Sequence, residues 1–194
     1  MDSARYFFGL ALTEHVHGNF ETALKLELKA YESDTAYLPG LWNFIYTGQQ
    51  DNAYRWAKKW DEYRPMGHII AKGYIFWNAG EHEKAQALFE QRINELEGYI
   101  ASPSLPTSAG DFHMRLAPLY AFTGDKEKAY RVLDELIRQH NTYPSEWIVS
   151  MKHNPMLDNL REEERFRRIL QIMEDRYQSE HRRVEKWLKK TGRL

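Results

Sequence analysis

Gly18-Asn-Phe-Glu-Thr-Ala23, Gly48-Gln-Gln-Asp-Asn-Ala53, Gly80-Glu-His-Glu-Lys-Ala85 and Gly124-Asp-Lys-Glu-Lys-Ala129 state one phrase four times: a glycine, then an alanine five residues on. With 11 Gly and 16 Ala among 194 residues, chance gives about one such pair. The glycines lie 30, 32 and 44 residues apart, which is the period of stacked helix-turn-helix units. Glycine reaches the left-handed conformation that ends a helix, and a polar residue behind it, such as Asn19 or Asp125, can accept the free amide hydrogens of the next helix. The alanine then falls in the second turn of the new helix, where a small side chain lets two antiparallel helices approach closely. Seven residues before the glycines stand Ala11, Leu41, Gly73 and Ala117; four before stand Glu14, Phe44, Phe76 and Tyr120. Small-or-apolar followed by large-aromatic is a helix-packing pattern, broken only at Glu14.

Working outward, the turns predict four helix pairs: 4–17 with 19–32, 36–47 with 50–63, 66–79 with 82–98, and 111–123 with 126–140. Pro39 and Pro65 fall near helix starts, where a missing amide hydrogen is tolerated. Residues 98–110 carry Pro103, Pro106 and three serines and read as a loop, either a lid over a ligand groove or a surface insertion. Pro118 interrupts the seventh helix and should bend it, releasing the Met114 carbonyl to a ligand, a water or a neighbouring side chain.

These features resemble the tetratricopeptide repeat family, whose motif sets a small residue and then an aromatic on a first helix, Gly-Asp/Asn at the turn, and Ala plus a bulky residue on a second helix. The second-helix bulky site holds Phe89 and Leu133, a weaker Ala57, and a mismatched Glu27. The resemblance covers roughly residues 4–140 and implies an all-α, right-handed solenoid of about four helix pairs over residues 1–142. Residues 143–194 would close it with a short helix around Trp147, Ile148 and Met151 and a long capping helix with a basic end. The segment His153-Asn-Pro-Met-Leu-Asp-Asn-Leu-Arg161, with Arg165 and Phe166, is similar to the end of such arrays in bacterial signalling proteins. Pro155, Asp158, Leu160, Arg161, Arg165 and Phe166 match that form; Asn154, Leu157, Glu163 and Glu164 depart from it.

Residues 162–190 form an amphipathic pattern through Phe166, Ile169, Leu170, Met173, Tyr177, Val184 and Leu188. The first half should cover the last repeat, since a terminal repeat must hide its apolar face. The second half carries Arg176, Arg182, Arg183, Lys186, Lys189, Lys190 and Arg193 against two Glu. It reads either as a solvated helix end that suits the helix dipole or as a basic tail for nucleic acid, a membrane surface or an acidic partner.

Zero Cys removes disulfides, thiol nucleophiles and Cys-ligated metals, and a net charge of −1 gives no global reason to bind polyanions. The run Tyr6-Phe-Phe-Gly-Leu-Ala-Leu12 lacks a cleavage site behind it, and no apolar stretch approaches the roughly 20 residues of a membrane span. A cytoplasmic chain is the expectation. Metalloprotease, phosphate-loop, nucleophile-elbow and EF-hand motifs are all missing, so no enzyme activity, cofactor or metal is expected. His15 and His17 point to opposite sides of a helix, capping explains Asp111 beside His113, and Glu162–Glu164 suit a first helical turn.

The family resemblance implies a concave groove lined by the first helices: Phe8, Leu12, His15, Trp42, Ile45, Tyr46, Tyr74, Trp77, Asn78, Met114 and Phe122. Such a wall fits a peptide or partner domain anchored on aromatic and aliphatic residues. The expected function is a protein-binding scaffold or regulatory part of a bacterial signalling chain, with an effector domain fused ahead of it. The alternatives are a small-molecule sensor, with the groove and the 98–110 loop enclosing a ligand, or binding of nucleic acid or an acidic partner through the basic tail. Leu12 stands where a carboxylate-clamping Asn would be needed, which disfavours capture of a chain terminus.

Overall fold

The computed structural model describes residues 3–101, 109–141 and 143–193, and the described residues contain helices and no strand. The helices are α1 (Ser3–Val16), α2 (Phe20–Ser33), α3 (Leu41–Tyr46), α4 (Gln50–Tyr63), α5 (Ile69–Asn78), α6 (His82–Ile100), α7 (Ala109–Phe122), α8 (Lys126–Gln139), α9 (Ser145–His153), α10 (Asp158–Arg161) and α11 (Glu164–Lys190). One 3-10 turn, Pro155–Leu157, precedes α10. The all-α class is therefore the one the chain adopts. Among the described residues no helix is long and apolar enough to cross a membrane.

The four glycines of the phrase make the same turn. Gly18, Gly48, Gly80 and Gly124 have φ of 80°, 70°, 83° and 93°. In each, the glycine amide bonds the carbonyl three residues back and the following amide bonds the carbonyl five back, as in Gly124 N to Ala121 O (3.1 Å) and Asp125 N to Tyr120 O (2.8 Å). This double closure consumes the carbonyls that a helix end leaves unpaired. The alanines Ala23, Ala53, Ala85 and Ala129 are all buried, as are Ala11, Leu41 and Ala117 at the small-residue position and Phe44, Phe76 and Tyr120 at the aromatic one. Gly73 holds the closest approach: a Cβ there would lie 2.4 Å from the buried Phe89 ring.

Two local expectations need correction. Asp125 caps α8 by accepting from Lys128 N (3.0 Å), but Asn19 makes no cap bond, and its amide donates to Glu14 Oε2 instead. Helices α3 and α5 begin at Leu41 and Ile69 rather than at 36 and 66. Asp34 turns the chain by accepting from Ala36 N (2.9 Å), and the Trp60 indole donates to Pro39 O (2.9 Å), so the prolines belong to ordered turns ahead of the helices. His68, with φ of 52°, enters α5 from the left-handed region.

The chain divides into two compact units, Met1–Gly98 and Tyr99–Leu194. In the first, α1 packs with α2, α2 with α3, α3 with α4 and α4 with α5, and further contacts link helices two apart. His15 of α1 bonds Asn43 of α3, and α3 packs against α5. Tyr31 of α2 meets Trp56 of α4 edge-on at 4.9 Å, and Tyr54 of α4 donates to Glu81, just ahead of α6. Lys72 of α5 is fully buried, with its ammonium donating to Asp61 and to Pro65 O. Burial works against the Asp61 charge, but hydrogen bonds from Lys72 and Lys84 outweigh it and hold the carboxyl below its ordinary value.

In the second unit α7 packs against α8 and the 3-10 turn, while α11 packs on α8 and α9 through buried Phe166, Ile169 and Met173. Asn154 accepts from Met156 N (3.0 Å), so it supplies the cap that an Asp would. Arg161 gathers the carbonyls of Met151 and Asn154 at 3.1 and 2.8 Å. Glu163 accepts from Lys126 and from the Tyr130 hydroxyl, bonds that hold its carboxyl low.

Candidate functional site

The residues expected to line the groove fall on both units. In the first, α1, α3 and α5 present them in succession. Leu12 is 52% exposed and Trp77 39% exposed; Asn78 is exposed, and Phe8, His15, Trp42, Ile45, Tyr46 and Tyr74 are half-buried. Trp42 stacks on Tyr46 at 5.7 Å, Tyr46 meets Phe20 at 4.5 Å, and Phe20 meets the His15 ring at 5.6 Å. These rings hold one another in fixed orientations and leave edges and faces open to solvent. Trp77 rests its ring edge-on against His82 at 4.5 Å. In the second unit Phe122 is half-buried, whereas Met114 is 6% exposed. Met114 therefore packs inside α7's core face and lines no open wall.

Below the His15 ring lies a polar group that the repeat pattern marked only as a mismatch. Glu27 of α2 is 5% exposed, with its carboxyl set against Gly40 and near Asn43, and Oε2 has no partner. Asn43 Oδ1 lies 2.7 Å from His15 Nδ1, a part-buried hydrogen bond that joins α1 to α3 beside Glu27. Gly40 is the residue ahead of α3, and the Glu27 carboxyl lies beside that helix start. Burial pushes the Glu27 carboxyl up to about 7, against Asn43 and the Gly40 backbone, which favour its charge. A bulky apolar residue would fill this position by packing alone; Glu27 instead ties its packing to a proton.

The basic tail is less uniform than its composition. Arg176 donates to Ile137 O (2.6 Å), His140 O (2.7 Å) and the Tyr143 hydroxyl (2.7 Å), closing the C-terminal end of α8. Its Nη1 thus serves two carbonyls at the helix end, which ties this cation to the fold. Arg183 and Lys189 bond Glu180 and Glu185 along the helix, and Arg193 lies over the Trp187 ring at 5.2 Å. Arg182, Lys186 and Lys190 are exposed.

Asp111 does not cap α7, which starts at Ala109; its carboxylate accepts from the Trp147 indole at 3.0 Å. His140 lies against Trp147 with Nε2 buried and without a partner, and burial, aided by the neighbouring His113, lowers its pKa. Among the described residues no three His, Asp or Glu side chains converge as metal ligands would. The lid expected within 98–110 falls largely on residues 102–108, outside the described residues. Comparison with known proteins returns no match to a family model, to a curated protein or to a solved structure.

Proposed function

We propose that the chain is a helical-repeat module of the tetratricopeptide kind, a right-handed solenoid closed by α11, which binds a protein segment along the outward face of α1, α3 and α5. The observation that carries this reading is the ordered contact of α1 with α3 and α3 with α5, with Leu12, Trp42, Tyr46 and Trp77 on those helices at least partly open to solvent. Side-chain contacts from α2 to α4 through Tyr31–Trp56, and from α4 to the turn ahead of α6 through Tyr54–Glu81, support a repeating stack. Fixed aromatic faces beside an exposed leucine suit large apolar anchors of an extended peptide, because rigid rings lose little freedom on binding. The likeness of residues 153–166 to the ends of signalling arrays supports a scaffold or regulatory role in a bacterial signalling chain.

Selection of peptides from a displayed random library on the full chain tests this. Selected peptides should carry two or more large apolar residues, and their affinity should fall about tenfold or more in the Leu12→Asp, Trp77→Ala double variant. Equal affinity for the double variant would place the binding surface elsewhere.

A further inference from the structure

The apolar stripe of α11 runs on past the surface that buries its beginning. Phe166, Ile169 and Met173 are buried where α11 packs on α8 and α9. Arg176 closes the end of α8, and beyond it the same three-and-four spacing continues through Tyr177, Val184, Trp187 and Leu188. Tyr177 and Leu188 are half-buried, but Val184 is 45% exposed and Trp187 50% exposed. On a helix of 3.6 residues per turn, Arg182, Arg183, Lys186, Lys189 and Lys190 fall on the side away from Tyr177, Val184 and Leu188, while Arg193, beyond the helix end, lies over the Trp187 ring. All six are exposed, and the only two acids of the segment, Glu180 and Glu185, are bonded to Arg183 and Lys189.

We propose that this distal half of α11 docks on an anionic lipid surface, lying in its plane with Val184, Trp187 and Leu188 turned toward the acyl boundary and the basic side chains among the headgroups. Three occupants compete for such a helix. A second copy packed on the apolar stripe would cover Val184 and Leu188 but leave the basic side chains, turned away from that seam, with no counter-charge. Nucleic acid would use the basic side alone and leave an exposed Val and Trp with nothing to bury them. A negatively charged membrane engages both sides at once, since Lys and Arg stems can reach past the helix flank to the headgroups while Trp sits at the interface. The surface is distinct from the α1, α3 and α5 face, so the two readings stand or fall separately.

The test is co-sedimentation of the full chain with vesicles of phosphatidylcholine alone or with about 30% phosphatidylglycerol, at physiological salt. The chain should partition about tenfold or more in favour of the anionic vesicles, and the preference should shrink as salt rises. The difference in emission between the native chain and Trp187→Phe should shift to the blue on those vesicles. Val184→Asp with Trp187→Asp should weaken partitioning about tenfold, as should Lys186→Glu with Lys190→Glu, which touches no apolar residue. Circular dichroism matching the native chain shows that each variant is folded. Absence of anionic-vesicle binding overturns the proposal, and so does undiminished binding by the Val184→Asp, Trp187→Asp variant. A short DNA duplex held more tightly than vesicles, with that variant binding it equally well, would assign the tail to nucleic acid instead.

Discussion

The hairpins α1–α2 and α7–α8 are built on the same phrase and bury very different things. Both turn on a left-handed glycine and both seat the phrase's alanine in the interface. Four residues ahead of the glycine, however, α7 places the buried Tyr120 and α1 the half-buried Glu14; nine residues after it, α8 places Leu133 and α2 the buried Glu27. Every residue of α7 from Leu116 to Ala121 is buried, while α1 leaves Tyr6, Leu10 and Leu12 exposed. The turn is a local device that works wherever it is placed. What the flanking helices hide depends on which neighbours arrive, and the first hairpin admits a carboxyl to its core only because α3 brings Asn43 and the Gly40 amide to it.

The largest expected break in this comparison is Tyr120→Ala against Glu14→Ala. Removing the buried ring should cost about 3–5 kcal/mol, whereas the Glu14 change should stay within about 0.5 kcal/mol, both read from denaturant unfolding. The Glu27 proton comes next. A carboxyl raised from 4.5 to about 7 stays protonated in the folded chain over a window where the unfolded chain has released its proton. The native chain should therefore lose stability as pH rises from about 4.5 to about 7 and level off above, by about 3 kcal/mol from this group. Glu27→Gln should remove that slope; an unchanged difference in stability between about pH 5 and about pH 7.5 would refute the buried titration.

Gly18→Ala and Gly124→Ala sharpen what the two hairpins share. Each forces a Cβ into a left-handed conformation at a site with open space around it, so each should cost about 1–2 kcal/mol, and the two values should agree. The smallest contrast lies in the caps. Asp125→Ala should cost about 1 kcal/mol because a real cap bond is lost, while Asn19→Ala, which breaks only an exposed contact with Glu14, should cost a few tenths.

Legibility followed the range of the interaction. The four turns, the buried alanines and the aromatic positions at Phe44, Phe76 and Tyr120 were readable because each rests on contacts within one or two helical turns or across one hairpin. The late starts of α3 and α5 were not: Trp60 of α4 bonds Pro39 O ahead of α3, and Lys72 of α5 is buried against Asp61 of α4 as well as Pro65 O, so both turns involve a second helix. Of the expected groove, Leu12, Trp77 and Asn78 emerged exposed, but Met114 was taken into the core and Arg176 was drawn from the basic tail onto the α8 carbonyls. A signal for Glu27 was present, a charged residue at a register position that should be buried, yet nothing local tells whether such a residue stays partly in solvent, as the half-buried Glu14 does, or is held inside.

Periodicity and glycine chemistry alone specify an all-helical chain with four like turns, because backbone sterics and helix-end hydrogen bonding act over a few residues. Which side chains face one another across helices 28 residues apart, as His15 and Asn43 do, is settled only when the helices pack. That packing sets the desolvation and the partners of Glu27, and so its proton affinity. It also determines where the apolar stripe of α11 stops being covered, since burial belongs to an assembly of elements and not to any one of them.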